Sequence, residues 1–143
     1  FDEYSFNITD IPSEQQKRLI EVGKSIESFV DSAVLKNPNV KYLLIIEGQS
    51  SKDDYFRDKY YNNDVLSYQR ALSLFDFWKQ NEIIFSAEFC EAIISGSGQN
   101  SSFRIQPDNR HNEANQRFVI HIIPKPGIIE ASKELTNEMQ HEK

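Results

Sequence analysis

The fold is decided by the stretch Lys41-Tyr42-Leu43-Leu44-Ile45-Ile46-Glu47. It is an apolar run of strand length, and Gly48 ends it. Apolar residues at consecutive positions are typical of a central strand that is covered on both faces. The stretch therefore predicts a sheet with other elements packed against it.

A helix is predicted upstream of this strand, from about Ser13 to about Leu35. Apolar residues recur there at the spacing of one buried stripe: Leu19, Val22, Ile26, Phe29, Val30 and Ala33. Ser13 can cap the start, and Asn37-Pro38-Asn39 ends the helix because the residue before proline avoids the helical conformation. Residues Tyr4 to Asn7 form a candidate edge strand.

A second helix is predicted over Val65 to Gln80, with Asp64 or Asn63 as its cap. Its predicted inner face carries Ser67, Ala71, Leu74, Phe75 and Trp78. The preceding stretch, Gln49 to Asp64, is polar and has no period, which is typical of a functional loop. Its aromatics Tyr55, Phe56, Tyr60 and Tyr61 either fold back on the core or form a binding surface.

The C-terminal half predicts shorter elements. Phe85 to Ala92 is a candidate third helix, and a strand from Ile93 runs into a glycine turn at Ser95-Gly96-Ser97-Gly98. Asn100 to Asn115 is loop-like, and Arg117 to Ile123 is a strand stopped by prolines. The order predicts an α/β fold, a small mixed sheet with helices packed on it, with residues 1–130 as one domain and 131–143 as a charged tail.

Composition excludes several classes of protein. Lys and Arg number 16 against 22 Asp and Glu, and a net charge of −6 disfavours nucleic acid and anionic membranes as partners. The single cysteine, Cys90, cannot form an internal disulfide and is expected to be buried. No apolar run approaches the ~20 residues of a spanning helix. Because the chain begins at Phe1 and its one methionine is Met139, we expect it to be processed or trimmed from a longer protein.

The residues that carry chemistry in enzymes are not arranged for it in this sequence. His111, His121 and His141 show no metal-ligand spacing, and the pair Asp53-Asp54 lies in a polar loop with no sign of a cleft. The glycine turn lacks the rest of a phosphate-binding motif. The sequence therefore predicts no catalytic residues, no cofactor and no metal site.

Four blocks, taken in order, resemble the OmpA/MotB-like family. They are Ile46-Glu47-Gly48-Gln49-Ser50-Ser51, Asn63-Asp64-Val65-Leu66-Ser67-Tyr68-Gln69-Arg70-Ala71, Ser95-Gly96-Ser97-Gly98 and Asn115-Gln116-Arg117-Phe118. The family patterns are I-E-G-H-T-D, N-x-x-L-S-x-x-R-A, a G-x-G strand end and N-R-R-V-E. The second block matches at every defined position, and the resemblance spans roughly Phe6 to Ile123.

The resemblance implies a βαβαββ sandwich and non-covalent binding of the diaminopimelate-bearing stem peptide of peptidoglycan. By position, Arg70 matches the arginine that receives the diaminopimelate carboxylate, Asn63 and Leu66 match residues lining the same groove, and Arg117 matches the second arginine of the last block. An arginine fork suits a carboxylate, and we expect Arg70 to be exposed. The alternative is that Arg70 pairs with Asp53 or Asp54.

Ser51 departs from the family pattern, because it replaces the aspartate that faces the ammonium group of the ligand. We expect Asp53 or Asp54, further along a longer loop, to supply that charge; the alternative is that both are solvated.

The resulting hypothesis is a periplasmic, non-enzymatic domain that anchors an envelope protein to peptidoglycan. We expect a homodimer whose membrane-anchored parent has a membrane partner subunit, as in the stator complexes of the MotB-like branch, including phage-defence stators. The alternative is a dimerisation or protein-interaction domain that has lost wall binding; a hydrolase is a third reading.

Overall fold

Two helices pack against a three-stranded sheet in the computed structural model, which describes Phe1 and residues 4–125. The elements are α1 (Ser13–Lys36), β1 (Tyr42–Gly48), β2 (Phe56–Asp58), β3 (Tyr61–Asn62), α2 (Asn63–Gln80), β4 (Cys90–Gly96) and β5 (Phe118–Pro124), with short 3-10 turns at Ile8–Asp10 and Glu113–Asn115. The predicted mixed α/β architecture is confirmed. The predicted tail, 131–143, lies outside the described residues.

The stretch that predicts a strand forms the centre of the sheet. β1 pairs in parallel with β4 and antiparallel with β5, so that Tyr42 lies opposite Cys90 and Pro124. Leu44 and Ile46 are fully buried, but the alternate residues Leu43 and Ile45 are only half-buried. The prediction of a central strand is correct, and the second of its two faces is only partly covered.

The helix α1 lies against Trp78 of α2. Trp78 is 0% exposed, and its indole Nε1 donates a hydrogen bond to the carbonyl of Leu19 at 2.8 Å. A side chain at Gly23 would lie within 2.6 Å of that nitrogen, so the glycine makes room for the ring. Two residues of the predicted stripe, Val22 and Phe29, are 44% and 57% exposed, so the buried face of α1 is narrower than predicted.

The helix α2 lies very close to the carboxyl ends of β1 and β4. A Cβ at Gly48 would overlap the carbonyl oxygen of Ser67, and one at Gly96 would overlap the amide of Tyr68. The cap of α2 is Asn62, whose side chain accepts a hydrogen bond from the amide of Val65 at 3.0 Å. The predicted caps, Asn63 and Asp64, are therefore one and two residues too late.

Three local predictions are wrong. The segment Tyr4 to Asn7 is not a strand and crosses α2, where the amide of Ile8 bonds to Ser73 Oγ at 3.0 Å. The candidate helix Phe85 to Ala92 gives way to β4 at Cys90 because its last residues pair with β1. Ser13 is not the N-cap of α1: it is the first residue of the helix, and the N-cap position is occupied by Pro12. Within the described residues, no helix has the length and apolar character needed to span a membrane.

Candidate functional site

Arg70 is the centre of the candidate site, but its surroundings differ from the sequence expectation. It is 2% exposed, and its Nε donates a hydrogen bond to the carbonyl of Ser5 at 2.8 Å. The ring of Phe1 lies over the guanidinium, 4.6 Å from ring centroid to Cζ. The prediction of an exposed arginine is wrong because α2 turns this residue inward and the N-terminal residues cover it.

Two opposing influences act on the pKa of the Arg70 guanidinium. Burial lowers the pKa of its guanidinium to about 10, and the nearby carboxylate of Asp53 acts in the opposite direction and raises it. At neutral pH the side chain stays protonated. Asp53 is thus the loop carboxylate whose charge acts on Arg70, as one sequence alternative proposed.

Asp53 also joins the loop to the start of α2. Its Oδ1 accepts hydrogen bonds from Asn63 Nδ2 at 2.6 Å and from the amide of Tyr55 at 2.9 Å. Asp54 turns elsewhere: its backbone is left-handed, with φ of 58°, and its amide and carboxylate bond to the side-chain amide of Gln99. The structure therefore brings Arg70, Asp53 and Asn63 together and leaves Asp54 at the rim.

Ser51 and Leu66 lie close to these residues in the sequence. Both side chains are buried, so neither is exposed to an external ligand. Gln116 Nε2 lies 3.5 Å from Ser51 Oγ, the long limit of a hydrogen bond. Among the described residues, three buried side-chain oxygens have no hydrogen-bond partner: Ser50 Oγ, Asn63 Oδ1 and Gln116 Oε1. Buried polar atoms of this kind favour a water or a ligand donor nearby.

Arg117, which matches the second arginine of the last family block, makes contacts within the domain. Its Nε donates to Gln49 Oε1 at 3.3 Å, and its guanidinium also bonds to the carbonyl of Phe103. Gln49 is fully buried and bonds onward to Ser101 Oγ at 3.0 Å. Arg117 and Gln49 together hold the loop after β4 against the end of β1.

Arg104 is a structural residue that the sequence analysis missed. It forms a two-bond pair with Asp108, Nε to Oδ2 at 2.8 Å and Nη2 to Oδ1 at 3.1 Å. The same guanidinium donates to the carbonyls of Gly98 at 3.3 Å and Ser50 at 3.0 Å. Arg104 thereby connects the glycine turn, the residues that follow β1 and the loop that contains Asp108. No helical period marks the pair, so nothing in the sequence pattern indicates it.

The Arg104–Asp108 pair predicts a pH dependence of stability. The hydrogen bond from Arg104 holds the pKa of Asp108 below its usual value. A carboxyl with a depressed folded-state pKa stabilises the fold above its unfolded pKa of about 3.9 and loses that contribution as pH falls further. Wild type should therefore lose more stability than Asp108→Asn between about pH 4 and pH 2, measured by urea unfolding. Parallel curves for the two proteins would contradict the role of the pair.

The residues considered for metal binding do not converge. Within the part of the chain that the structure describes, no group of three His, Cys, Asp or Glu side chains could hold a metal ion. His121 Nε2 lies 3.4 Å from Glu47 Oε2 on the sheet, and His141 is outside the described residues. Cys90 is buried, as expected, and burial raises the pKa of its thiol.

No protein-family model and no curated protein sequence matches this chain. Among solved structures, it is similar to the OmpA-like domain of FopA1 from Francisella tularensis subsp. tularensis SCHU S4. The identity is 17%, the match covers 88% of this chain and 72% of that one, and the TM-score is 0.48. This similarity does not bear on what the chain binds.

Proposed function

We propose that this domain binds a peptide non-catalytically at Arg70, and that the ligand is the diaminopimelate-bearing stem peptide of peptidoglycan. The observation that supports the proposal is the hydrogen bond from the buried Arg70 Nε to the carbonyl of Ser5. A charged guanidinium beside a carboxylate already holds one peptide oxygen there. A ligand carboxylate offers that guanidinium a stronger, charge-assisted bond.

The charges around Arg70 suit a zwitterionic ligand end. Arg70 would take the carboxylate, and Asp53 would take the ammonium group that the missing family aspartate takes elsewhere. Both hydrogen bonds that Asp53 accepts from described residues end on Oδ1, so Oδ2 is the acceptor left for an ammonium. Asp54 is the weaker candidate because the carboxylate whose charge acts on Arg70 is that of Asp53, and Asp54 bonds to Gln99 instead.

The first test is titration of a soluble diaminopimelate-containing tetrapeptide into the wild type and the Arg70→Met variant, followed by calorimetry or NMR. Methionine fills much of the buried volume, so the fold should survive. Loss of a charge-assisted bond should weaken binding roughly 10- to 100-fold. Asp53→Asn should weaken it less and should also reduce the preference for a ligand with a free ammonium group.

Arg57→Met, in the exposed hairpin β2–β3, is the matched control and should bind as wild type does. Equal affinity of wild type and Arg70→Met, with intact far-UV spectra, would reject the proposal. Sedimentation with purified sacculi then asks whether the same residue controls binding to the intact wall.

A second candidate is a protein-interaction or dimerisation domain without wall binding. Three exposed aromatics of the β2–β3 hairpin favour it: Phe56, Tyr60 and Tyr61 are 72%, 65% and 52% exposed. Aromatic side chains are enriched at protein interfaces, so three exposed rings on one short hairpin favour a contact surface. Self-association in light scattering, together with no binding of the tetrapeptide or of sacculi, would favour this candidate.

The setting of the domain is also part of the proposal. The blocks that resemble the OmpA/MotB-like family support a periplasmic location and an envelope-anchored parent. A homodimer, a membrane partner subunit and a stator-type complex follow from the same resemblance. Detection of the parent protein in a cross-linked wall or inner-membrane fraction would test this setting separately from ligand binding.

A further inference from the structure

Three of the described N-terminal residues make contacts at or near the Arg70 site. Phe1 packs on the Arg70 guanidinium and meets the ring of Phe118 edge-on, with centroids 5.8 Å apart. Tyr4 stacks on Tyr55 at 4.4 Å between centroids, and Ser5 accepts the Arg70 hydrogen bond. These residues, Phe1, Tyr4 and Ser5, are called the N-terminal cover below.

The cover is held differently from the residues that follow it. Ile8 and Ile11 are buried in the core, and the amide of Ile8 is bonded to Ser73. Tyr4 and Phe6, in contrast, are exposed, and Tyr4 has a left-handed backbone with φ of 63°, an unfavourable conformation for a residue with a ring. The core therefore anchors the chain from Ile8 onward, whereas Phe1 is only partly buried at the edge of the core and Tyr4 packs on the loop residue Tyr55.

The cover and a ligand carboxylate would use the same atoms. The Ser5 carbonyl takes Arg70 Nε, and the Phe1 ring lies across the face of the guanidinium. A carboxylate can form a two-bond pair with Arg70 only after both have moved. A groove of about 350 Å³ also opens beside Phe1, lined mainly by apolar residues including Leu74, Trp78 and Phe118.

We propose that the N-terminal cover is an intramolecular ligand of the Arg70 site, so that an external peptide binds only when the cover is displaced. The proposal rests on the proposed function for the identity of that peptide, and on the contacts above for the cover itself. The apparent dissociation constant then equals the intrinsic one divided by the fraction of molecules that are open. Changes that weaken the cover should tighten binding without altering the ligand contacts.

The test uses the full chain with Phe1→Ala and Tyr4→Ala combined. Its matched control combines Phe29→Ala with Tyr68→Ala, which removes the same two ring types from exposed positions on α1 and α2. The first measurement is the rate at which a dicarbonyl reagent for arginine modifies Arg70, followed by peptide mass mapping. Arg104, with a buried side chain, is the internal reference. The second measurement is the affinity for the diaminopimelate-containing tetrapeptide.

We expect Arg70 to be modified about tenfold faster in the cover variant, with no change at Arg104 or in the control. Tetrapeptide affinity should rise by a similar factor. An unchanged modification rate in a folded cover variant would overturn the proposal, whatever the tetrapeptide does. Weaker tetrapeptide binding would overturn it too, because the rings would then belong to the ligand groove.

The two proposals can fail separately. Faster modification of Arg70 combined with no tetrapeptide binding in any variant supports the cover and rejects the wall peptide as its competitor. If the double variant does not fold, the single variants Phe1→Ala and Tyr4→Ala provide the same comparison with smaller shifts.

Discussion

Replacement of Trp78 by alanine is expected to lower the free energy of unfolding by about 3–5 kcal/mol. The ring is fully buried between the two helices, and its loss leaves a cavity and removes the hydrogen bond that it donates to the Leu19 carbonyl. The midpoint of thermal unfolding should fall by roughly 10 to 20 °C. Urea unfolding followed by far-UV circular dichroism measures the change. A loss below about 1 kcal/mol would show that Trp78 does not hold α1 in place.

Gly23 provides a double-mutant cycle for the same contact. In wild type, Gly23→Ala places a methyl group 2.6 Å from Trp78 Nε1 and should be destabilising. In the Trp78→Ala background that conflict is absent, so the same change should stabilise α1 by about 0.5–1 kcal/mol through helix propensity. An identical effect in both backgrounds would contradict the assigned packing.

Gly48→Ala is expected to cost about 3 kcal/mol of unfolding free energy, at the upper end of what overpacking usually costs. The new methyl group would overlap the Ser67 carbonyl, which belongs to the backbone of α2 and cannot rotate away as a side chain would. Because α2 also carries Arg70, a shift of the helix should move this side chain relative to Ser5 and Asp53 as well. Urea unfolding and tetrapeptide titration of the same variant measure both effects.

Ser95→Ala is the matched control for this variant, since it changes a half-buried residue of the neighbouring strand β4 without adding volume. It should stay within about 0.5 kcal/mol of wild type. A stable Gly48→Ala protein would mean that the sheet and α2 have more room between them than the structure shows.

The sequence predicts α1 and β1 well, because a long periodic stripe and a dense apolar run each allow one assignment. It fails at Phe85 to Ala92, where a short mixed segment fits a helix or a strand and the pairing of Cys90 with Tyr42 decides. It also fails at Tyr4, where a backbone conformation outside the strand region is held by contacts with distant residues.

Arg70 shows a different limit. The residue could be found by its block, but its burial could not be found by residue type, since arginine is usually exposed. The spacing nevertheless carried a signal, because Arg70 lies on the same face of α2 as three buried residues, Leu66, Ser67 and Leu74. The Ser5 carbonyl and the Phe1 ring, which complete its surroundings, lie 65 or more residues earlier in the sequence and leave no local pattern.

The sheet order has a consequence for how the chain folds during synthesis. β1 lies between β4 and β5, and its pairing with β5 joins Tyr42 to Pro124. Contacts between residues so distant in sequence slow folding. Both edges of β1 remain without hydrogen-bonded partner strands until β4 and β5 leave the ribosome. A nascent chain that ends before Phe118 already contains Arg70, Asp53 and the N-terminal cover, yet it has an open strand edge on which another chain can aggregate.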